Sequence, residues 1–113
     1  MQPDLDRTLA ALADPNRRAI VQLLLARPRR PSEVADALEM SRPAMSRHLR
    51  VLRDAGLVQQ AILDSDARAR LIELRQPAFT QLRAWLDEVE AFWGDQLAAF
   101  KAHAERGRKR ARR

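Results

Sequence analysis

The segment from Ser41 to Val58 joins an apolar stripe to a row of basic side chains. Met45, Leu49 and Leu52 recur at helical spacing, which predicts a helix with one face against a core. The other face is cationic and polar and carries Arg42, Ser46, Arg47, Arg50 and Arg53. Arginine can hydrogen-bond two atoms of a guanine edge, so this face suits a helix that enters the major groove of DNA. A surface helix with solvated arginines is the alternative, and the neighbouring elements discriminate between the two.

Residues at both ends predict where this helix begins and where it ends. Ser41 predicts the N-cap, because a serine hydroxyl can accept a hydrogen bond from a first-turn N–H. Pro43 fits the first turn, where a backbone N–H has no partner within the helix. Gly56 predicts a left-handed residue after the last turn, and Leu57 and Val58 begin an extended segment.

Length and composition restrict the class of protein. At 113 residues the chain predicts one domain, small enough that dimerisation would add stability. Cysteine is absent, which excludes disulfides and thiolate metal ligands. The N-terminus lacks the apolar core of a signal peptide, and no apolar run reaches the ~18 residues of a membrane span. We therefore expect a cytoplasmic protein with no membrane partner.

The charge is unevenly distributed along the chain. The net charge of +6 equals the six cations of residues 106–113, so the 15 other basic residues match the 15 acidic ones. Residues 42–75 carry seven arginines against four acids, whereas residues 77–105 carry two bases against five acids. The neutral part therefore has a basic middle suited to phosphate and an acidic last helix.

Three shorter helices are expected before the arginine-bearing one. The first ends just before Asp14-Pro15, which starts a second helix that runs to a loop over residues 27–31. Ser32 is expected to cap a third helix that ends near Leu38. A short helix, a three-residue connection and the arginine-bearing helix make a helix-turn-helix unit, whose second helix enters the major groove.

Two short strands are expected after the glycine, over residues 57–63 and 68–74. Aspartate and serine supply turn chemistry at residues 64–67 between them. Arg68 and Arg70 alternate with apolar residues, so this hairpin wing can extend cations toward phosphates or the minor groove. A plain surface hairpin is the alternative.

A long last helix is expected from Pro77 to about Ala104. Its apolar residues keep a helical period for about five turns, which is more apolar surface than one small domain usually covers. Gly94 lies in its middle and costs about 1 kcal/mol relative to alanine, which close helix packing can compensate. We expect the first and last helices to form a dimer interface through Leu5, Leu9, Leu12, Trp85, Val89, Phe92, Trp93 and Leu97. The alternative is a last helix that folds back only on its own core.

These elements define a mainly α, dimeric winged helix-turn-helix with a small β-hairpin, in the order α-α-α-α-β-β-α. The chain resembles the ArsR/SmtB family of bacterial repressors in three places: LADP with Arg17, Arg18 and Ile20, then SRHL at residues 46–49 with Val51 and Leu52, and AGLV at residues 55–58. The likeness extends over nearly all of the chain up to Glu105. It implies a homodimer that binds an imperfect palindrome in double-stranded DNA, represses its own operon and is released by an effector.

The sequence departs from the metal-sensing members of that family. Those members use cysteines near the third helix or paired histidines and acidic residues on the last helix, whereas this last helix has only His103. We expect no metal and no other cofactor, and an effector that is an organic molecule or absent. No general-base partner or nucleophile accompanies His48, and no glycine-rich phosphate loop is present, so an enzyme is not expected.

The candidate DNA contacts fall into two groups. Base-edge contacts are assigned to Arg42, Ser46 and Arg47 in the N-terminal part of the helix, and Pro43 is expected to contact a thymine methyl or a sugar. The other DNA-binding candidates are Ser32, Ser41, His48, Arg50, Arg68 and Arg70. Among them, Ser32, Arg50 and the two wing arginines are expected to bind phosphates, which position a protein without specifying sequence. His48 is either a half-buried structural residue or a phosphate contact.

We expect one domain over residues 1–105 and a basic, disordered tail over residues 106–113. The tail either adds nonspecific affinity for phosphate or is only solvated. Two other functions stay open, a protein-interaction module that does not read DNA and an RNA-binding protein. The cationic helix face is atypical of protein docking. The five aromatic residues all fall in the last helix, which leaves none in the strands to stack on RNA bases.

Overall fold

A computed structural model describes residues 4–61 and 70–111 of the chain. The elements in order are α1 (Leu5–Leu12), α2 (Pro15–Ala26), α3 (Pro31–Ala37), α4 (Arg42–Asp54), β1 (Val58–Ala61), β2 (Leu71–Leu74) and α5 (Gln76–Ala111). The predicted order of helices and strands is confirmed, with the two strands forming an antiparallel hairpin.

Side-chain caps set the starts of α2 and α4, as predicted. The Asp14 carboxylate accepts hydrogen bonds from the N–H groups of Asn16 at 2.7 Å and Arg17 at 3.3 Å. Ser41 Oγ accepts a hydrogen bond from the N–H of Ala44 at 3.2 Å. These bonds satisfy first-turn N–H groups that have no partner within the helix.

The start of α3 differs from the prediction. The expectation that Ser32 caps this helix is wrong, because α3 begins at Pro31 with Arg30 as its N-cap. Proline is favoured at the first helical position, since its φ is already helical. The Glu33 carboxylate accepts a long hydrogen bond of 3.5 Å from the N–H of Arg30 and so supplies a capping interaction. Ser32 is an exposed residue inside the first turn.

A single apolar core joins the first four helices to the hairpin. Ile20, Leu52 and Leu57 are fully buried in it, and removing each of these side chains from water contributes about 1.5–3 kcal/mol. On α4, Met45 and Leu52 are buried and Leu49 is half-buried, which confirms the predicted stripe. The orientation of α4 is therefore fixed by its apolar side.

The hairpin is shorter than the predicted strands in the part that the structure describes. Val58 pairs with Leu74 and Ala61 pairs with Leu71. The predicted turn at residues 64–67 lies outside the described residues, as does Arg68.

Arg29 extends the sheet from a segment that the sequence predicts to be a loop. Its N–H donates to the Ile72 carbonyl at 3.1 Å, and its carbonyl accepts from the Ile72 N–H at 2.8 Å. A hairpin edge offers unpaired backbone groups to any extended segment beside it. The pairing needs no particular side chain, so no sequence pattern predicted it.

Helix α5 is longer at both ends than predicted. It begins at Gln76 rather than Pro77 and ends at Ala111 rather than near Ala104. Residues 106–111, predicted to be disordered, are helical, and their arginine, lysine and alanine content favours a helix despite Gly107. The chain divides into two compact units, Met1–Leu82 and Arg83–Arg113. Within the part of the chain that is described, no helix is long and apolar enough to cross a membrane.

Candidate nucleic-acid interface

A short connection between α3 and α4 builds the helix-turn-helix. Glu39 adopts a positive φ of 54°, and the N–H of Met40 donates to the Ala35 carbonyl at 2.9 Å. A left-handed residue other than glycine is uncommon, and the glutamate gave no signal of it in the sequence. At the other end of α4, Gly56 has the predicted left-handed conformation with φ 77°.

The polar face of α4 is fully presented to solvent. Its exposed residues are Arg42, Pro43, Ser46, Arg47, Arg50 and Arg53, and the N-cap Ser41 beside them is also exposed. Among the described residues, none of these arginine side chains forms a hydrogen bond or a salt bridge. The structure therefore brings most of the predicted DNA-binding residues together on one helix face, with unpaired guanidinium groups.

His48 differs from the other candidates on α4. It is half-buried, and its Nδ1 lies 3.5 Å from Nη1 of Arg17 on α2. The half-buried position confirms one part of the prediction. The contact with α2 was not foreseen.

The remaining DNA candidates lie on other elements. Ser32 is exposed on α3, and Arg70 is exposed just before β2. On the described part of the wing, Gln59 donates a hydrogen bond to the Glu73 carboxylate at 3.0 Å, so this hairpin also carries an acid.

Electrostatic interactions also act beside α4 and at the start of α3. Desolvation raises the pKa of Asp14, but the hydrogen bonds from the N–H groups of Asn16 and Arg17 and the charge of Arg17 outweigh it and lower the pKa overall. The pKa of Glu33 is also lowered, first by the hydrogen bond from Arg27 and then by the N–H of the N-cap residue of α3. Both carboxylates thus stay ionised and hold helix starts.

The candidate dimer residues occupy α1 and α5. On α1, Leu5 and Leu12 are half-buried and Leu9 is 39% exposed. On α5, Val89 is half-buried, whereas the larger apolar side chains are exposed, namely Trp85, Leu86, Phe92, Trp93, Leu97 and Phe100. The rings of Phe92 and Trp93 meet edge to face with centroids 5.5 Å apart. Leu86 and Phe100 are not among the residues predicted for the interface, although their spacing fits the same face.

No metal site can be built from the side chains that are described. Among them, no group of three or more histidine, aspartate or glutamate residues lies close enough together to hold an ion.

Comparison with known proteins identifies relatives of the whole fold. Residues 14–60 match the profile of the family described as bacterial regulatory protein, arsR family. The HTH-type transcriptional regulator Rv2034 of Mycobacterium tuberculosis is 40% identical over 95 residues, which cover 84% of this chain and 83% of that protein. An ArsR-like transcriptional regulator from Rhodococcus has a TM-score of 0.73 at 29% identity, with 89% of this chain and 90% of that chain covered. A homodimeric winged helix-turn-helix DNA-binding domain from Mycobacterium bovis has the same fold, with a TM-score of 0.58 at 24% identity over 76% of this chain and 77% of that chain.

The fold and the cationic face of α4 are those of a winged helix-turn-helix transcription regulator. The chain belongs to the ArsR family, whose members bind DNA and regulate transcription rather than catalyse reactions.

Proposed function

We propose that this protein is a homodimeric repressor of its own transcription that binds a palindromic operator through α4. The observation that carries the proposal is the row of exposed arginines on α4, which form no hydrogen bond or salt bridge with the described residues and lie opposite the buried Met45 and Leu52. A helix held by one face on a rigid core can present the other face to base edges without losing much conformational entropy.

Within the proposed interface, the contacts divide by position along α4. The N-terminal residues of a recognition helix reach base edges, so Arg42, Ser46 and Arg47 read the sequence, with Pro43 beside them. Phosphate contacts come from Arg50 on α4 and from the candidates on α3 and the wing, namely Ser32, Arg68 and Arg70. They fix the register of the helix in the groove.

The proposed dimer uses α1 and α5. Exposed aromatic and aliphatic side chains on α5 support it, because monomeric proteins rarely expose a large contiguous apolar patch. The relative from Mycobacterium bovis is described as homodimeric, which supports the same assembly here. Two-fold symmetry would place two α4 helices in successive major grooves, about 34–36 Å apart. Such a regulator acts where the chromosome lies, which in a bacterium is the cytoplasm.

The first test is binding to the DNA just upstream of the protein's own gene, with excess competitor DNA at physiological salt. The proposal expects two protomers per site and a Kd of about 10⁻⁸ M or tighter. Weak binding that competitor DNA abolishes would contradict autoregulation. In that case either the operator lies elsewhere in the genome or α4 binds a protein partner.

A matched pair of variants tests the reading role of Arg47. Arg47→Ala is expected to cost about 1–3 kcal/mol and to relax the sequence preference at one base position. Arg53→Ala removes the same charge from the last turn of the same helix, where base edges are out of reach, and serves as the control. Equal losses in the two variants would mean that α4 contributes only charge.

Arg70 on the wing is tested by its salt dependence. Arg70→Ala should weaken all DNA sequences alike and flatten the dependence of affinity on salt, because a phosphate contact releases counterions. A changed sequence preference would instead place the wing against base edges.

A further inference from the structure

Arg17, in the first turn of α2, bonds to two other helices. Its Nε donates to the Ala11 carbonyl at 2.7 Å, and its Nη2 donates to the Ala10 carbonyl at 3.3 Å. Its Nη1 lies 3.5 Å from Nδ1 of His48 and 3.7 Å from Oδ2 of Asp14. The side chain is only 17% exposed, so it joins the end of α1 to α4 in a partly desolvated position.

The chemistry of this contact selects one tautomer of the neutral His48 ring. A guanidinium group can only donate hydrogen bonds, so Nδ1 must be the acceptor. The neutral imidazole then carries its proton on Nε2, and the ring plane is oriented by the bond at Nδ1. Because His48 lies on α4 between the exposed Arg47 and the half-buried Leu49, this bond also restrains the helix that carries the proposed base contacts.

A surface groove adjoins this contact. It has a volume of about 490 Å³ and, besides Arg17, is lined by Arg7, Ala10 and Ala11 of α1 and by Val51, Asp54 and Ala55 at the end of α4. Among the described residues that line it, none has a bulky apolar side chain, so the polar contact from α2 adds to the packing of α1 and α4 at this point.

Arg18 provides a natural comparison. Its Nη1 donates to the carbonyls of Leu12 at 2.8 Å and Ala13 at 3.0 Å. Like Arg17, it donates to carbonyls at the end of α1, where the last-turn carbonyls lack the usual helical partners. Among the described residues, Arg18 makes no hydrogen bond to α4.

We propose that Arg17 is a positioning residue for DNA binding, which orients His48 and restrains α4 while it anchors the end of α1. The proposal rests on the function proposed above, because it assumes that α4 reads DNA. It gives Arg17 a role that its neighbour Arg18 lacks, although both carry the same charge and bind the same end of α1.

The test compares Arg17→Gln with Arg18→Gln in binding to the upstream operator fragment and to nonspecific DNA. Both variants remove one charge from adjacent positions, so the general electrostatic loss is matched. Arg17→Gln is expected to weaken operator binding about tenfold more than Arg18→Gln, while nonspecific affinities agree within about twofold. In a His48→Ala background the two glutamine variants should become equivalent.

A spectroscopic measurement tests the contact without DNA. At alkaline pH the ¹⁵N resonance of His48 Nδ1 is expected to move in Arg17→Gln and to stay in place in Arg18→Gln. Circular dichroism and thermal unfolding verify that each variant is folded. If Arg17→Gln is unfolded, Arg17→Lys replaces it, since lysine keeps the charge but cannot reproduce the fork of donors.

The outcomes separate this inference from the proposed function. Suppose that the wild type binds the operator and Arg47→Ala does not. Equal effects of Arg17→Gln and Arg18→Gln would then overturn only the positioning role. Failure of the wild type to bind any operator would overturn the proposed function and the positioning role with it. An unmoved His48 resonance in folded Arg17→Gln would overturn the contact itself.

Discussion

The proposed dimer interface makes a quantitative prediction for Leu97. This side chain is 69% exposed on α5, and Leu25 on α2 is 64% exposed but lies outside the proposed interface. The two leucines therefore offer a matched pair, in which the same substitution removes nearly the same exposed apolar surface from two different helices.

The magnitude follows from the surface that each leucine would bury. Full burial of a leucine contributes about 1.5–3 kcal/mol, so truncation of a side chain with 69% exposure should forfeit about 1.5 kcal/mol per protomer. A two-fold interface contains the residue twice, which gives about 3 kcal/mol and a dimer Kd raised roughly 150-fold. Leu25→Ala should leave the dimer Kd within about twofold of the wild type.

Sedimentation velocity over a dilution series measures the dimer Kd of the wild type and of both variants. Thermal unfolding is recorded alongside, because a destabilised protomer would also dissociate. A wild type that is monomeric throughout would refute the interface. A Leu97→Ala dimer as tight as the wild type would refute the assignment of this face, and a larger effect of Leu25→Ala would move the interface to α2.

Three further predictions concern stability. Gly56→Ala should destabilise the fold by about 1–2 kcal/mol in urea unfolding, because φ is 77° there, and an unchanged midpoint would mean that the turn can relax. Gly94→Ala should stabilise the protein by about 1 kcal/mol, since a Cβ at this helical position would lie more than 4 Å from every described atom outside the adjacent helical backbone. A weakened dimer would instead indicate that a partner helix packs on Gly94. Because the pKa of Glu33 is lower in the folded protein than in the unfolded chain, its ionised carboxylate adds to the free energy of unfolding. This contribution is fully present above the pKa of the unfolded state and is lost as the pH falls through the pKa of the folded state. Arg27→Ala removes the first cause of that shift, so the urea midpoints of variant and wild type should differ near neutral pH and converge in acid, and a gap that persists in acid would contradict the assignment.

Much of α4 was predictable because the signals that define it are local. The cap at Ser41, the apolar period of Met45 and Leu52, and the left-handed Gly56 all depend on neighbours within one or two turns. The exposed arginine face followed directly from that period. Its contacts with bases and phosphates stay predictions.

Local signals predicted the ends of α3 and α5 less accurately, because two signals competed there. Both Ser32 and Pro31 can mark a helix start, and the proline at the first position decided the outcome. The predicted C-terminal end of α5 was wrong for the same reason. A basic segment rich in helix formers is compatible both with a disordered tail and with the continuation of a helix.

The sequence by itself determined the order of the elements, the starts of α2 and α4, and the cationic face of α4. Only the tertiary structure decided that Arg29 pairs with Ile72 and that Arg17 reaches His48, which lies 31 residues further along the chain. Local conformation follows from caps and periodicity, which act through bonds and adjacent turns. The partner of a long polar side chain depends instead on which helices the core brings together, and on the space that their small residues leave between them.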